Sequence, residues 1–454
     1  MDTENVYDSL PVISSFSTAP FDILEEIFLA CPTPLDELDG SLKLKTYFGS
    51  FTEPLPAWAL SGVCQHWRDS ALSIPALWST VFVYGKTMGS GRRREGNLAF
   101  LSLLLDRSKN LPLTIHIDCD GSNEDVLNML SPHISRARVL YFNLGENPES
   151  GLRHLLSGST HFPFLRSLSA LNHTYPEQQF SPISPAFHHA PLLERLYTKS
   201  YLYDAQWMHN IGIPWSQIRH FKSSRVKDIV DFFKSLLRMP NLIRLDIDNI
   251  VSFRLPSEPV PYTRLEHLTY IKLQYATSGG IWHHLPHLEL PALTEIDLRG
   301  IPSLAPLWGL LERSNCASQI CALTLRGTDS NDVKEEALKK IILMTPNLLS
   351  LNLLTTYGSL QEGQGLSLIR LFTSNPDAGH DGLPTRIILP KLTTLHIEQG
   401  NHIRPSEMKD FIDALVAREV LPAVKRASFC TRAWGTTVYE ISGVQEVKET
   451  HYPK

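Results

Sequence analysis

The densest set of potential metal ligands in the chain is His283-His284-x-x-His287, and His188-His189 is a second pair. A zinc site needs a fourth ligand and a rigid frame, and Leu285-Pro286 between the histidines interrupts a helical arrangement. They read as a solvated loop between repeats, and no metal or other cofactor is expected. The acidic run Asp118-Cys-Asp-Gly-Ser-Asn-Glu-Asp125 lacks the alternating ligands and terminal glutamate of a calcium loop, and reads as a helix-capping turn. Serine, histidine and acidic residues are plentiful, yet no Gly-x-Ser-x-Gly elbow presents a nucleophile. Neither a Gly-x-x-x-x-Gly-Lys-Ser/Thr loop nor a Gly-x-Gly-x-x-Gly turn opens a helix to cradle phosphate. The chain is expected to be non-catalytic.

Composition narrows the partners. Forty-two Lys and Arg against 47 Asp and Glu give a formal charge of -5, which disfavours binding nucleic acid through a basic field. The cysteines, at 31, 64, 119, 316, 321 and 430, form no Cys-x-x-Cys pair and fit free thiols in a reducing compartment. No charged-then-apolar leader and no long apolar run point to secretion or a membrane span, so a cytoplasmic or nuclear location is expected and Asn172-His-Thr174 is a chance sequon. With 43% hydrophobic residues the chain has enough apolar side chains to pack most of its length.

Two short amphipathic patterns stand at the front. In Pro20 to Cys31, Ile23, Leu24, Ile27 and Phe28 share one face while Asp22, Glu25 and Glu26 point away, with Pro20 suited to a first turn and Pro32 and Pro34 to a stop. From Ala57 to Leu72, Leu60, Val63, Cys64, Trp67 and Ala71 form a second stripe, closed by Ser73-Ile-Pro75 before Ala76-Leu-Trp78. Isolated helices this short are marginal in water, so the pair needs a neighbour, either the rest of the chain or another protein.

The pattern Ala19-Pro20-x-x-Ile23-Leu24-x-x-Ile27-Phe28, then Leu60-x-x-Val63-Cys64-x-x-Trp67-Arg68-Asp69, then Pro75-x-Leu77-Trp78, resembles the F-box of fungal F-box proteins. It departs from the family in its Ala19-Pro20 start and in an apparent insertion at 36–55. The resemblance implies docking to a Skp-type adaptor, and through it to a cullin, by Pro20, Ile23, Leu24, Ile27, Phe28, Leu60, Val63, Cys64, Trp67 and Trp78. It also implies the role of substrate receptor in a Skp, cullin and F-box ubiquitin ligase. The rival is a leucine-rich scaffold whose N-terminal helices merely cap the repeat core.

A phrase recurs through the rest of the chain: a turn, often with proline, then Leu-x-x-Leu-x-Leu or a close relative. Its first apolar position falls at 165, 193, 218, 242, 268, 293, 320, 348, 392 and, weakly, 424. The first seven steps run from 24 to 28 residues, which lies within the leucine-rich-repeat range. The last two apolar residues of each phrase belong on one face of a strand, and the first anchors the turn into it. Helical stretches are expected at Val226–Leu237, Pro306–Arg313, Val333–Met344 and Met408–Ala417, with a loop at Gly358–Pro384 filling the long step. Earlier, Thr80–Tyr84 reads as a strand, Gly85–Gly96 with Arg92-Arg-Arg94 as a surface loop, Asn97 onward as a helix, and Leu113–Ile117 and Val139–Leu144 as strands.

The expectation is an α/β chain in three parts: mobile residues 1–15, a small helical F-box-like module over 16–83, and a leucine-rich-repeat-like solenoid with a parallel sheet and outer helices over 84–454, clearest between 160 and 400. Tyr201, Tyr203, Trp207, Trp215, Tyr275, Trp282 and Tyr357, in the repeat loops, are the candidates for target recognition, since interface anchors are rich in Trp and Tyr. Capping the repeat core is the other use for the same rings.

Overall fold

A Leu-x-Leu phrase that follows a buried turn leaves a row of backbone donors and acceptors to be paired, and equivalent phrases pair most simply with one another. The computed structural model describes residues 19–31, 56–84, 91–119, 123–143, 148–156, 161–171, 186–198, 212–224, 226, 229–250, 259–275, 281–301, 303–327, 335–355, 389–399, 413, 423–431, 436–442 and 446–452. Residues 1–15, the insertion at 36–55 and the expected loop at 358–384 lie outside them, as does all of 408–417 except Asp413. The chain divides into two units, Met1–Leu193 with Trp207–Pro214, and Glu194–Gln206 with Trp215–Lys454.

The first unit opens with α1 (Phe21–Ala30), α2 (Pro56–Ser61) and α3 (Gln65–Ser73), followed by a 3-10 turn at Pro75–Trp78 and strand β1 (Thr80–Tyr84). Helix α4 (Arg92–Arg107) begins inside the stretch expected to be a loop. Gly91 enters it at φ 58, and its carbonyl accepts from Arg94 and Glu95. Gly96 has nothing within 4 Å of where a Cβ would stand, so it costs the helix about 1 kcal/mol of propensity. Burial of Leu101, Leu104 and Leu105 and the Arg94–Asp125 ion pair at 2.5 Å outweigh that cost. Then come β2 (Leu113–Asp118), α5 (Glu124–Leu130), β3 (Ala137–Asn143), α6 (Pro148–Leu156) and β4 (Ser167–Leu171). Asn123 precedes α5 without a side-chain capping bond, Asp125 of the acidic run accepts from the first-turn Val126 N–H at 3.0 Å, and residues 120–122 of the run lie outside the described residues.

Strands β1 to β4 pair in parallel in chain order. Val81, Ile115, Leu140 and Leu168 form one buried row, and Val83, Ile117, Phe142 and Ala170 form the next. Between them, on the opposite face, runs the row Phe82, His116, Tyr141 and Ser169.

The second unit contains β5 (Arg195–Thr198), β6 (His220–Ser223), α7 (Ile229–Leu236), β7 (Arg244–Ile250), β8 (Thr263–Arg264), β9 (Tyr270–Tyr275), β10 (Leu288–Glu289), β11 (Glu295–Ile301), α8 (Ala305–Ser314), β12 (Ala322–Gly327), α9 (Glu335–Met344), β13 (Ser350–Thr355), β14 (Thr394–Gln399) and β15 (Arg426–Thr431), ending in β16 (Thr436–Ser442) and β17 (Glu446–Tyr452). From β5 to β15, leaving aside β8 and β10, nine strands pair in parallel. The sheet ends with β16 and β17 added antiparallel, an addition the repeat pattern does not predict. Strands β8 and β10 make a separate parallel pair.

The anchor of each phrase closes the turn before its strand. Ile218, Leu242, Leu268, Leu293, Ile320, Leu348 and Leu392 are fully buried. Except at Leu268, each donates its N–H to the carbonyl three residues earlier. The next residue bonds back one repeat: Arg219 donates to Glu194, Ile243 to Arg219, Thr269 to Ile243, Thr294 to Thr269, Cys321 to Thr294, Leu349 to Cys321, Thr393 to Leu349 and Lys425 to Thr393. The long step from 349 to 393 leaves this ladder unbroken. Gly300, at φ 78, sits where the β11 to β12 register shifts, a conformation that favours glycine. Among the described residues no helix is long and apolar enough to cross a membrane.

Candidate functional site

The conspicuous residue types of the helical module first explain its own assembly. Cys64 is the N-cap of α3, its Sγ accepting from the Trp67 N–H at 3.5 Å. Arg68 reaches back to the Ser61 carbonyl at the end of α2 and to Gln65, and Gln65 bonds Asp69. His66 ties α3 to the Ala19 carbonyl ahead of α1 at 2.8 Å. The Val-Cys-x-x-Trp-Arg-Asp string therefore fixes the α2 to α3 turn by local capping.

Around this frame Trp78 is fully buried and donates its indole N–H to the Ala71 carbonyl at 2.8 Å. Phe28 tilts against Trp67 with ring centres 5.1 Å apart, and Trp58 stands edge-on to Trp78 at 5.4 Å and lies 5.2 Å from Phe100 of α4. The Arg107 guanidinium covers both indoles, 4.4 Å from the Trp78 ring and 5.4 Å from that of Trp58, and burial pushes its pKa down. Sequence reasoning did not single out Trp58, Phe100 or Arg107. An aromatic residue in each of α2 and α4, together with an arginine, was the only signal for them.

The ten residues proposed for adaptor docking divide by exposure. Leu24, Phe28 and Trp78 are buried in a core that the module shares with Leu104 of α4, with Ile27, Leu60 and Trp67 packed half-buried against it and Cys64 half-buried at the α3 cap. Pro20, Ile23 and Val63 are exposed, Ile23 by 48% and Val63 by 60%. Phe21, Leu29 and Leu72, which belong to neither stripe, are exposed as well. The module thus closes one apolar face and leaves other large apolar side chains in solvent.

Of the rings proposed for target recognition, Tyr201, Tyr203, Trp207 and Tyr357 lie outside the described residues. Trp215 is half-buried, and its carbonyl closes the turn at Ile218. Tyr275 ends β9, and Trp282 lies in the 3-10 turn Ile281–His287. That turn also holds the histidine cluster, which the sequence reading placed in a solvated loop. The half-buried His284 ring packs 6.4 Å from Phe233 and 6.0 Å from His287. Among the described residues no three His, Cys, Asp or Glu side chains are placed to share a metal.

The sheet of the second unit carries a polar row on the strand face opposite its leucines. Lys222, Asp246, Lys272, Asp297, Thr324, Asn352, His396 and Ser428 stand in register across eight strands. Lys272 meets Asp248 at 2.6 Å and Asp246 at 3.1 Å, while Lys222 lies 3.8 Å from Asp246 and 3.7 Å from Asp248. Burial holds the Asp246 carboxyl above the usual carboxylate range despite both lysines, so desolvation outweighs attraction there. Asp297 takes Arg299 at 2.9 Å, Asn352 donates to Thr324, and His396 bonds Ser428. Burial also pushes Tyr197 up to about 12 and Cys316 up to about 11, the direction opposite to an activated nucleophile. Compared with protein-family models and with curated proteins, the chain matches none.

Proposed function

We propose that the protein is the substrate-recognition subunit of a Skp, cullin and F-box type ubiquitin ligase. The helical module binds the adaptor and the repeats hold a target protein as a leucine-rich-repeat-like solenoid. The observation that carries this reading is the divided apolar surface of the module: it completes a core on Trp78 yet keeps Ile23, Val63, Phe21 and Leu29 exposed. These four exposed side chains fall within the two helical patterns that the F-box resemblance assigns to the adaptor, and exposed apolar surface of that kind marks an interaction site where it is contiguous. Catalysis takes place on another subunit, and this chain supplies proximity by raising the target's effective concentration near the ubiquitin-charged enzyme. Neither nucleic acid nor membrane is a partner in this scheme.

One observation favours the second reading, a repeat scaffold with no ligase partner. Leu24, Phe28 and Trp78 are spent inside the chain, as a cap on a core requires. Affinity capture of the full chain with mass spectrometry separates the two. The receptor reading expects adaptor and cullin together in the eluate, with both lost on Ile23→Asp plus Val63→Asp. An eluate from the native chain with neither subunit leaves the scaffold reading standing.

A further inference from the structure

At the N-terminal ends of four adjacent strands, the register sets Arg195, His220, Arg244 and Tyr270 side by side. Neighbouring strands are ~4.8 Å apart, which puts Arg195 and Arg244 about 10 Å apart across His220. Arg219, next to His220 in the chain, is exposed, and its backbone is fixed in the ladder by Glu194, Ile243 and Arg244. The combined field registers at His220, whose imidazole is held below its ordinary value by burial first and then by Arg195, with Arg244 and Arg219 adding to the effect against Glu194.

Acidic compensation is thin here. Glu194, half-buried, meets the exposed Arg195 only at 3.7 Å, a solvent-screened pair that contributes little. Among the described residues neither Arg219 nor Arg244 has a carboxylate within ion-pair distance. Glu295 is the next group along the row, beyond Tyr270. Elsewhere on this sheet Lys222 and Lys272 are matched by Asp246 and Asp248, and Arg299 by Asp297. The Arg244 guanidinium lies over the Tyr270 ring, 3.6 Å from its centre, which orders it before any ligand arrives.

We propose that Arg195, Arg219 and Arg244, with Tyr270 beneath, form a docking surface for an acidic segment of a target protein, an extended stretch carrying carboxylate or phosphate groups. That the partner is a target rests on the receptor reading; the anion site itself does not. An extended chain advances ~3.3 Å per residue, so anions about three residues apart match the spacing of Arg195 and Arg244. The formal charge of -5 on the whole chain opposes a long polyanion such as nucleic acid more than a short acidic peptide.

The test is fluorescence anisotropy of short labelled peptides on the full chain, one rich in glutamate, one carrying phosphoserine and one with serine in the same places, beside a short single-stranded RNA. Both acidic peptides are expected to bind and the serine peptide not to, with binding about tenfold weaker at high salt. Arg195→Glu with Arg219→Glu should weaken binding roughly hundredfold, about tenfold for each lost charged hydrogen bond. Arg426→Glu, an exposed arginine elsewhere in the unit, should leave binding unchanged. Tighter binding of the phosphoserine peptide names phosphate as the recognised group, and equal or tighter binding of the glutamate peptide names carboxylate. Binding of the serine peptide, equal loss with Arg426→Glu, or tighter binding of the RNA overturns the proposal. Should the double variant fail to fold, the salt and serine-peptide comparisons on the native chain still decide. No adaptor enters the assay, so its failure leaves the ligase reading intact.

Discussion

His116 lies in the polar row of the first unit with its ring between those of Phe82 and Tyr141, at 5.3 and 5.0 Å, and among the described residues neither ring nitrogen has a hydrogen-bond partner. Burial pushes its imidazole down to about 4, whereas in the unfolded chain it takes a proton near 6.5. Above ~6.5 both states are neutral and the stability is full; as pH falls toward ~4 only the unfolded chain is protonated, so stability drops by about 3 kcal/mol and then levels off. His116→Phe should therefore lose less stability than the native chain between neutral pH and about 4.5 in denaturant titrations. An equal loss in both would contradict this account of the residue. Residue types were legible in the sequence, but their roles were only partly so. Cys64 and Trp67 stood out, yet that a thiol caps the Trp67 amide depends on the approach of α2 to α3. The helical stripe grouped Ile23, Leu24, Ile27 and Phe28, and the structure buries only Leu24 and Phe28 fully, since the neighbouring elements cover just part of the stripe.

At the scale of elements, the repeating unit depends on its anchor. Leu348 is fully buried and bonded to the Thr345 carbonyl, while Leu349 beside it is 44% exposed. Leu348→Ala should cost about 2 to 5 kcal/mol and Leu349→Ala within about 0.5, as read by denaturant midpoints. Equal costs would mean that the phrase is set one residue out of register. This part of the fold was legible because two constraints coincide in the phrase: period-two burial marks the strand, and the turn leucine marks where it begins. Helix α4 was hidden because Gly85, Gly89 and Gly91 crowd the approach to it and Gly96 lies in its second turn, while the compensation comes from Asp125, 31 residues beyond Arg94. The antiparallel β16 and β17 carry no repeat phrase, so the pattern that found the other strands could not reach them.

For the whole molecule, the proposed function divides two tasks between two surfaces, adaptor docking on the helical module and target holding on the repeats. Trp58, Trp78, Phe100 and Arg107 join that module to α4 within the first unit. Trp78→Ala should accordingly destabilise the fold by about 3 to 5 kcal/mol and reduce adaptor binding through unfolding, seen as parallel loss of the thermal transition and of binding. Loss of binding with an unchanged transition would instead make Trp78 a contact residue, against its burial. The most direct measurement is calorimetric titration of a purified Skp-type adaptor into the native chain and into Ile23→Asp plus Val63→Asp, with the melting transition of each recorded. The account predicts saturable binding by the native chain and at least roughly hundredfold weaker binding by the variant, at matched melting transitions. Native-strength binding by a folded variant, or no binding by the native chain, would contradict it.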